Sequence, residues 1–352
     1  MKPVVPAANA NRRTLLSALP ALAVAAGTFV PITEAAGAVP SLLPSWNDGA
    51  AKRAILEFVR ATTETGSPQF VPPEDRIATF DQDGTLWVEH PLYTQAMFAL
   101  DRVHALAPLH PDWKDQEPLK AVLANDLPAL AHFTERDWAE IIFVTHAGMS
   151  QAAFLDIAMQ WIATAKHPRF KRVYTDLVYQ PMIEVLDYLR ANRFATFIVT
   201  GGGQDFVRAY SQRVYRVPTQ SVVGSSIATQ FVIENGKPEL MRLPKLFFND
   251  NFAGKAIGID LFIGKQPCAA FGNSTGDREM LEWTDAGPGA RLKMLVYHDD
   301  PVREYAYGPA GRLPDTEVGT FSQSLMDEAK SRGWTVISMK TDWKRVFPFE
   351  TP

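Results

Sequence analysis

Phe80-Asp81-Gln82-Asp83-Gly84-Thr85-Leu86 closes the short strand-like run Arg76-Ile77-Ala78-Thr79-Phe80 and turns sharply out of it. The two carboxylates, spaced i, i+2, leave the strand together, and Gly84 lets the backbone turn behind them. Such a pair suits nucleophilic chemistry on phosphorus. One carboxylate can attack while the other donates a proton to the leaving oxygen and later takes one from water. Two anions this close also call for a cation, and hard oxygen ligands favour magnesium. Taken alone, the segment reads equally well as a surface turn whose aspartates cap backbone N–H groups.

On its N-terminal side, Asn47-Asp48 before Ala50, Ile55, Phe58 and Val59 predicts an N-capped amphipathic helix ending near Gly66-Ser67-Pro68. On its C-terminal side, from Leu92 to about Arg193, apolar residues recur at helical spacing, as in Met97, Leu100, Val103 and Leu106. Met182 to Asn192 is the last helix of that block. A strand-then-helix rhythm follows. Phe194–Val199 is a strand, Gln204–Val214 a helix and Ser221–Gly224 a strand, and Asn235-Gly236 marks a hairpin between 229–233 and 239–243. Helix 253–262, strand 268–271, helix 278–283, strand 293–297, helix 322–330 and strand 335–337 complete the pattern. Strands alternating with helices imply a doubly wound, largely parallel sheet, with ligands beyond the carboxyl ends of its strands.

Four segments in order carry a resemblance to the haloacid dehalogenase superfamily. Asp81-Gln82-Asp83-Gly84-Thr85-Leu86 resembles its first motif, and Phe197-Ile198-Val199-Thr200-Gly201-Gly202 its second. Lys255, on the helix before the next strand, is the candidate for the third, with Lys245 and Lys265 as competitors. Gly272-Asn273-Ser274-Thr275-Gly276-Asp277 resembles the fourth. The resemblance covers roughly residues 75–300. It implies an α/β fold with a Rossmann-like parallel sheet core at 39–90 and 190–352, and an inserted all-helical cap of the C1 type at 91–189, as in phosphoserine phosphatase-like members.

By that resemblance Asp81 is the nucleophile and Asp83 the general acid and base. Thr200, Gly201 and Gly202 hold the phosphoryl oxygens, and Lys255 is the third catalytic side chain. Asp81, Asp83, Asn273 and Asp277 surround Mg2+. The presence of Asp83 favours phosphatase over dehalogenase chemistry, because a halide leaving group needs no general acid. Gly201-Gly202-Gly203 reads as the opening of a helix whose free N–H groups favour a bound phosphate. Glu89 and His90 stand where that branch carries a substrate-reading acid at the cap entrance. The departure is Asn273, where the family commonly has Asp. An amide oxygen can still ligate magnesium, but one negative charge is lost. Asp299 and Asp300 are spare carboxylates near the same edge, read as loop caps.

The expected activity is hydrolysis of a small phosphorylated metabolite through an aspartyl-phosphate. A phosphotransferase of the same fold, or a catalytically weak binding protein, are the alternatives. Composition agrees with a globular enzyme: 352 residues, 46% hydrophobic and 21% charged, with net charge −4. Cys268, the single cysteine, lies in an apolar run and reads as a buried small hydrophobe. The histidines show no paired metal-ligand spacing.

Arg12-Arg13 followed by the charge-free run 15–30 resembles a twin-arginine export signal, with cleavage after Ala38. Sixteen residues fall short of the ~20 needed to span a bilayer, so no stable membrane insertion is expected after cleavage. Losing Lys2, Arg12, Arg13 and Glu34 takes the net charge from −4 to −6, which argues against nucleic acid as a partner. These features predict a bacterial periplasmic enzyme.

Overall fold

The computed structural model describes residues 42–310 and 319–350. The expected export signal therefore lies outside the described residues. The chain begins with α1 (Ala50–Thr63) and enters the sheet at β1 (Ile77–Phe80). The helices α2 (Thr94–Leu106), α3 (Leu119–Leu123), α4 (Leu127–Leu130), α5 (Glu135–His146) and α6 (Gln151–Thr164) follow. Helix α7 (Gln180–Ala191) leads back to β2 (Ala195–Gly203). Short helices α8 (Gln204–Arg208) and α9 (Ser211–Tyr215) precede β3 (Val222–Glu234) and β4 (Lys237–Phe248). The remainder alternates through α10 (Ala253–Phe262), β5 (Ala269–Gly272), α11 (Arg278–Asp285), β6 (Leu292–Tyr297), α12 (Gln323–Ser331), β7 (Thr335–Ser338) and α13 (Met339–Asp342).

One sheet in the order β4-β3-β2-β1-β5-β6-β7 results, parallel throughout except for the β3–β4 hairpin. β1 is buried at every residue because it lies between two strands with cover on both faces, which is why it reads as an unbroken apolar run. The chain order reverses at β1, between β2 and β5, so the ends of these three strands form the crevice where such sheets bind ligands. Phe80 and Phe271 stack at 4.4 Å beneath it and fix the strand ends relative to one another.

Helices α2 to α6 form an insertion between β1 and β2; α2, α3 and α5 share a core around Ala99, Val103, Trp113, Leu119, Val122 and Ile141, while α6 packs Phe154, Ala158 and Ile162 into the cluster that holds Phe80 and Phe271. A capping box of Thr134 and Asp137 starts α5, and Ser150 caps α6. Helix α7, expected as the end of that block, packs Met182, Val185, Leu186 and Leu189 into the same cluster as Phe80 and Phe271. The hairpin turns at Asn235-Gly236, both at positive φ, with Glu234 opposite Lys237, as its sequence signal requires. No helix among the described residues is long and apolar enough to cross a membrane.

Three local expectations are corrected. Gly49, in extended conformation, occupies the N-cap of α1, while Asp48 pairs with Lys52 at 3.0 Å. The helix expected over 204–214 breaks at Tyr210, whose φ of −137° is not helical. The break seats the Tyr210 ring on Trp87 and lets its hydroxyl accept from Gln82 Nε2 at 2.7 Å. The glycine run finishes β2, with a register shift between Thr200 and Gly203, and leads into α8 with Gly203 as its N-cap, but its N–H groups are not free: that of Gly202 goes to Thr200 Oγ1 and that of Gly203 to Gln95 Oε1.

Candidate active site

Asp81 stands one residue beyond β1, its N–H donating to the Phe271 carbonyl of β5 at 2.8 Å. Lys255, from the first turn of α10, reaches under the sheet edge and is 2% exposed. Its Nζ donates to Asp81 Oδ1 and to Asp277 Oδ1, each at 2.5 Å, and to the Val199 carbonyl at 3.1 Å. The competitors do not reach the site. Lys265 binds Asp75 and the Glu74 carbonyl at the surface, and Lys245 is exposed.

Burial pushes Asp81 up to about 8, with the Asp277 charge adding to the rise and Lys255 opposing it. For Lys255, burial disfavours the charge, but Asp277 and Asp81 together hold it above the ordinary lysine value. Asp83 is lifted to about 6 by burial, against the Trp87 hydrogen bond and the Lys255 charge. Trp87 Nε1 donates to Asp83 Oδ1 at 2.6 Å, leaving Oδ2 without a hydrogen bond among the described residues.

Thr200 ends the regular part of β2, 1% exposed, and its Oγ1 accepts from the Gly202 N–H at 3.0 Å, so the hydroxyl proton is left to donate. A Cβ on Gly202 would lie 3.2 Å from Thr200 Oγ1 and 3.7 Å from Asp83 Oδ2. The glycine thus brings the end of β2 up against Asp83. The Gly201 carbonyl accepts from Ser225 Oγ at 2.8 Å.

The fourth segment is arranged around Asp277 and Asn273. Asp277 Oδ2 accepts from the N–H groups of Asn273 and Ser274 at 2.9 and 3.0 Å, so with Oδ1 on Lys255 both oxygens are engaged. Asn273 Oδ1 accepts from Thr85 Oγ1 at 3.1 Å, and its Nδ2 donates to Glu89 Oε1 at 2.7 Å. Glu89 also accepts from the Tyr307 hydroxyl, and burial holds it well above the usual carboxylate range. Glu89 therefore faces Asn273 and Tyr307. His90 packs its ring on Tyr307 at 4.2 Å, and its carbonyl accepts from His167 Nε2 at 2.7 Å. Asp299 and Asp300 cap loops: Asp299 takes Ser338 Oγ and the Lys340 N–H, and Asp300 takes Arg303.

The donor set suits a hard divalent cation. Asp81 Oδ2 and Asp83 Oδ2 take no hydrogen bond among the described residues, and Asn273 Oδ1 has a lone pair beyond the one Thr85 uses. No three His, Cys, Asp or Glu side chains among the described residues gather as a ready-made metal cluster. A magnesium ion would therefore draw on the Asn273 amide and on water as well as Asp81.

Several groups escape a sequence reading. Trp87 lies four residues from Asp83, with nothing in the pattern to mark its indole as a donor. His298, behind β6, sits 2.7 Å from the Gly84 carbonyl through Nε2 and 3.1 Å from Glu304 through Nδ1, bracing the turn between Asp83 and Thr85. Asp250 is fully buried near Lys255, and burial raises it to about 8 against that charge. From α2, Gln95 Oε1 accepts from the Gly203 N–H at 2.6 Å, and its Nε2 meets His146 Nε2 at 3.2 Å. That fixes the His146 tautomer: Nε2 accepts and Nδ1–H donates to Thr145 Oγ1 at 2.7 Å, while Thr145 donates to the Ile141 carbonyl at 2.6 Å. Burial and the charge of Arg242 lower His146 to about 3, consistent with this neutral ring.

A family profile described as haloacid dehalogenase-like hydrolase matches residues 78–282. Among curated proteins none matches the chain in sequence. A conserved functionally unknown protein from Anaerococcus prevotii DSM 20548 aligns over 81% of this chain and 91% of its own, at 14% identity and a TM-score of 0.51. A protein of unknown function from Bordetella pertussis Tohama I aligns over 74% and 97%, at 17% identity and a TM-score of 0.45. A probable phosphoserine phosphatase from Vibrio cholerae aligns over 66% and 62%, at 13% identity and a TM-score of 0.35. At these identities only fold is compared, and the Anaerococcus structure is the one of the three above 0.5.

Proposed function

The chain belongs to the haloacid dehalogenase-like hydrolases, and from that premise we propose that it is a magnesium-dependent phosphomonoester hydrolase working through an aspartyl-phosphate on Asp81. The observation that carries the reading is the pair of open carboxylate oxygens on Asp81 and Asp83. One aspartate is gripped by Lys255 at 2.5 Å and the other by Trp87 at 2.6 Å, with Thr200 and Gly202 alongside.

Lys255 holds Asp81 Oδ1, which aims Oδ2 at phosphorus, and its charge favours the ionised nucleophile against the effect of burial. The Thr200 hydroxyl donates to a phosphoryl oxygen. Asp81 Oδ2 forms the bond to phosphorus as the bond to the ester oxygen breaks, and Asp83 gives its proton to that oxygen. Asp83, now ionised, takes a proton from water, whose oxygen displaces Asp81 and releases inorganic phosphate. Trp87 holds Asp83 in one rotamer for both steps. Magnesium, held by Asp81, the Asn273 amide and water, would neutralise phosphoryl charge while the open oxygen of Asp83 stays free for the proton. Asp277 supports the site through Lys255 and the N–H groups of its own turn.

The substrate class is a small organic phosphate, and the place of action is the bacterial periplasm. The second statement is supported by Arg12-Arg13 and the apolar run behind them. The test is a phosphomonoester panel with magnesium on wild type, Asp81→Asn and Asp83→Asn. Asp81→Asn abolishes turnover while the fold persists, and Asp83→Asn loses on the order of 10²–10⁴. Equal activity of Asp81→Asn and wild type sinks the assignment. Formation of glycerol phosphate in place of inorganic phosphate on adding glycerol would make the enzyme a phosphotransferase.

A further inference from the structure

Beside the glycine run lies a cavity of about 170 Å³, walled by Gln95 of α2, His146 of α5, Phe154 of α6, Gly202 of β2, and Arg242 and Leu246 of β4. Gly202 is the shared wall: a Cβ there would stand 3.7 Å from Asp83 Oδ2. The cavity is therefore next to the proposed proton donor, where the organic part of a phosphomonoester would leave.

Its cation is unusual for a hairpin strand. Arg242 is 4% exposed. Nε donates to the His146 carbonyl at 2.7 Å, Nη1 donates to Gln151 Oε1 at 2.6 Å and to Asp205 Oδ2 at 2.5 Å, and the guanidinium carbon lies 3.9 Å from the Phe154 ring centroid. Nη2 takes no hydrogen bond among the described residues. Asp205, which also lines the cavity, pairs with Arg242 through Oδ2 and, through Oδ1, with Arg208 outside it at 3.6 Å. Two guanidinium groups thus face one carboxylate.

The polar groups around the cavity are unequal in kind. Gln95 Oε1 is taken by the Gly203 N–H, and the His146 Nε2 lone pair is taken by Gln95. What Gln95 and Arg242 have left are donors: the second amide N–H and the Nη2 hydrogens. These unused donors pair with a group that only accepts. A carboxylate is such a group, whereas a hydroxyl or an ammonium brings hydrogens of its own. Much of the remaining wall is apolar, from Phe154, Phe206, Ile142 and Leu246, which suits a short carbon chain.

Resting on the phosphatase reading, we propose that Arg242 and Gln95 read a carboxylate on the leaving group, so that the substrates are short phosphomonoesters of hydroxy acids. The test compares kcat/KM of the full chain for 3-phosphoglycerate and glycerol 3-phosphate, which differ by carboxylate against hydroxymethyl, with p-nitrophenyl phosphate as a reporter of hydrolysis itself. Wild type is expected to prefer the carboxylate on the order of 10–100-fold, the range of a charged hydrogen bond. Arg242→Met brings the ratio near one, and Arg242→Lys recovers part of it. Hydrolysis of p-nitrophenyl phosphate with a wild-type ratio near one overturns the proposal and leaves the phosphatase reading standing.

Failure to hydrolyse all three overturns the phosphatase reading. Calorimetric binding of the same two phosphate esters to Asp81→Asn then judges the cavity alone: tighter binding of the carboxylate supports it, and equal binding overturns it. Should Arg242→Met fail to fold, the wild-type ratio and these binding measurements decide.

Discussion

Lys255→Met removes the one cation that joins Asp81 to Asp277 while nearly preserving side-chain volume. In the native site Nζ is 2.5 Å from both carboxylates, and the three side chains are 2%, 9% and 0% exposed. Removing one partner of a buried ion pair costs about 3–5 kcal/mol, chiefly through the charge left behind. The two pairs share one cation, so their losses are not added. At roughly 2 °C per kcal/mol for a chain larger than 150 residues, the melting temperature should fall by roughly 6–10 °C.

The pH dependence gives a stricter test. A carboxyl raised in the folded state binds a proton that the unfolded chain has released, so stability falls as pH rises from its unfolded value of 3.8 towards its folded value. Asp81 already lies near 8 with Lys255 present, and without it the window extends further upward. The gap between wild type and Lys255→Met should therefore stay level while Asp81 is protonated in both proteins and widen as pH rises past about 8, in thermal melts recorded with chelator. A gap under about 1 kcal/mol, or one unchanged with pH, refutes the electrostatic account. Adding Asp277→Asn should return stability without returning hydrolysis.

Other substitutions probe neighbouring contacts. Trp87→Phe removes the 2.6 Å bond that holds Asp83 down, so the alkaline limb of the pH–rate profile, set by the proton donor, should move to higher pH with a rate loss on the order of tenfold; an unmoved limb would show that Trp87 only packs. Gly84→Ala places a Cβ 2.0 Å from Asn273 Nδ2 and 2.4 Å from Glu89 Oε1 at a φ of +74°, and should reduce soluble yield and activity together, whereas a wild-type melting curve would contradict the packing. Asn273→Asp replaces the donor at 2.7 Å from Glu89 with an acceptor, so the metal-free variant should lose about 1–3 kcal/mol, with magnesium restoring more stability than it gives wild type. Superimposable magnesium titrations would make residue 273 purely structural.

The parts legible in sequence are those whose physics is local. Ile77–Phe80 reads as a buried strand because both its faces are covered, and Asn235-Gly236 reads as a hairpin because two consecutive positive φ angles are needed there. Three of the four segments lie at the ends of the neighbouring strands β1, β2 and β5, and the first turn of α10 adds Lys255, so Asp81, Asp83, Thr200, Lys255, Asn273 and Asp277 come together. What was not legible depends on distant partners. The helix broken at Tyr210 carries an uninterrupted helical pattern, and only the Trp87 ring and Gln82 explain why it stops. The glycine run does lead into α8, but nothing local shows that the Gly203 N–H is taken by Gln95, more than 100 residues earlier. Arg242 lies on a strand with no motif and enters the cavity only because the hairpin packs against α5 and α6.

The departure at Asn273 looks different once its surroundings are known. Read along the chain, an amide in place of an acid is a lost charge beside the cation. In space the amide is a bridge, with Thr85 on its oxygen and Glu89 on its nitrogen, so an acid is present one hydrogen bond away. A second aspartate at 273 would press two carboxylates together in a buried site whose nearby cation, Lys255, is already shared by Asp81 and Asp277. The Nδ2 donor lets Glu89 remain buried beside Asn273, and the Tyr307 hydroxyl supplies a second donor to the same oxygen. The identity of residue 273 is thus set by Glu89 as much as by any metal, and the two positions should be changed together: Asn273→Asp with Glu89→Gln keeps one donor and one acid in the pair and is expected to tolerate the aspartate that the single variant does not.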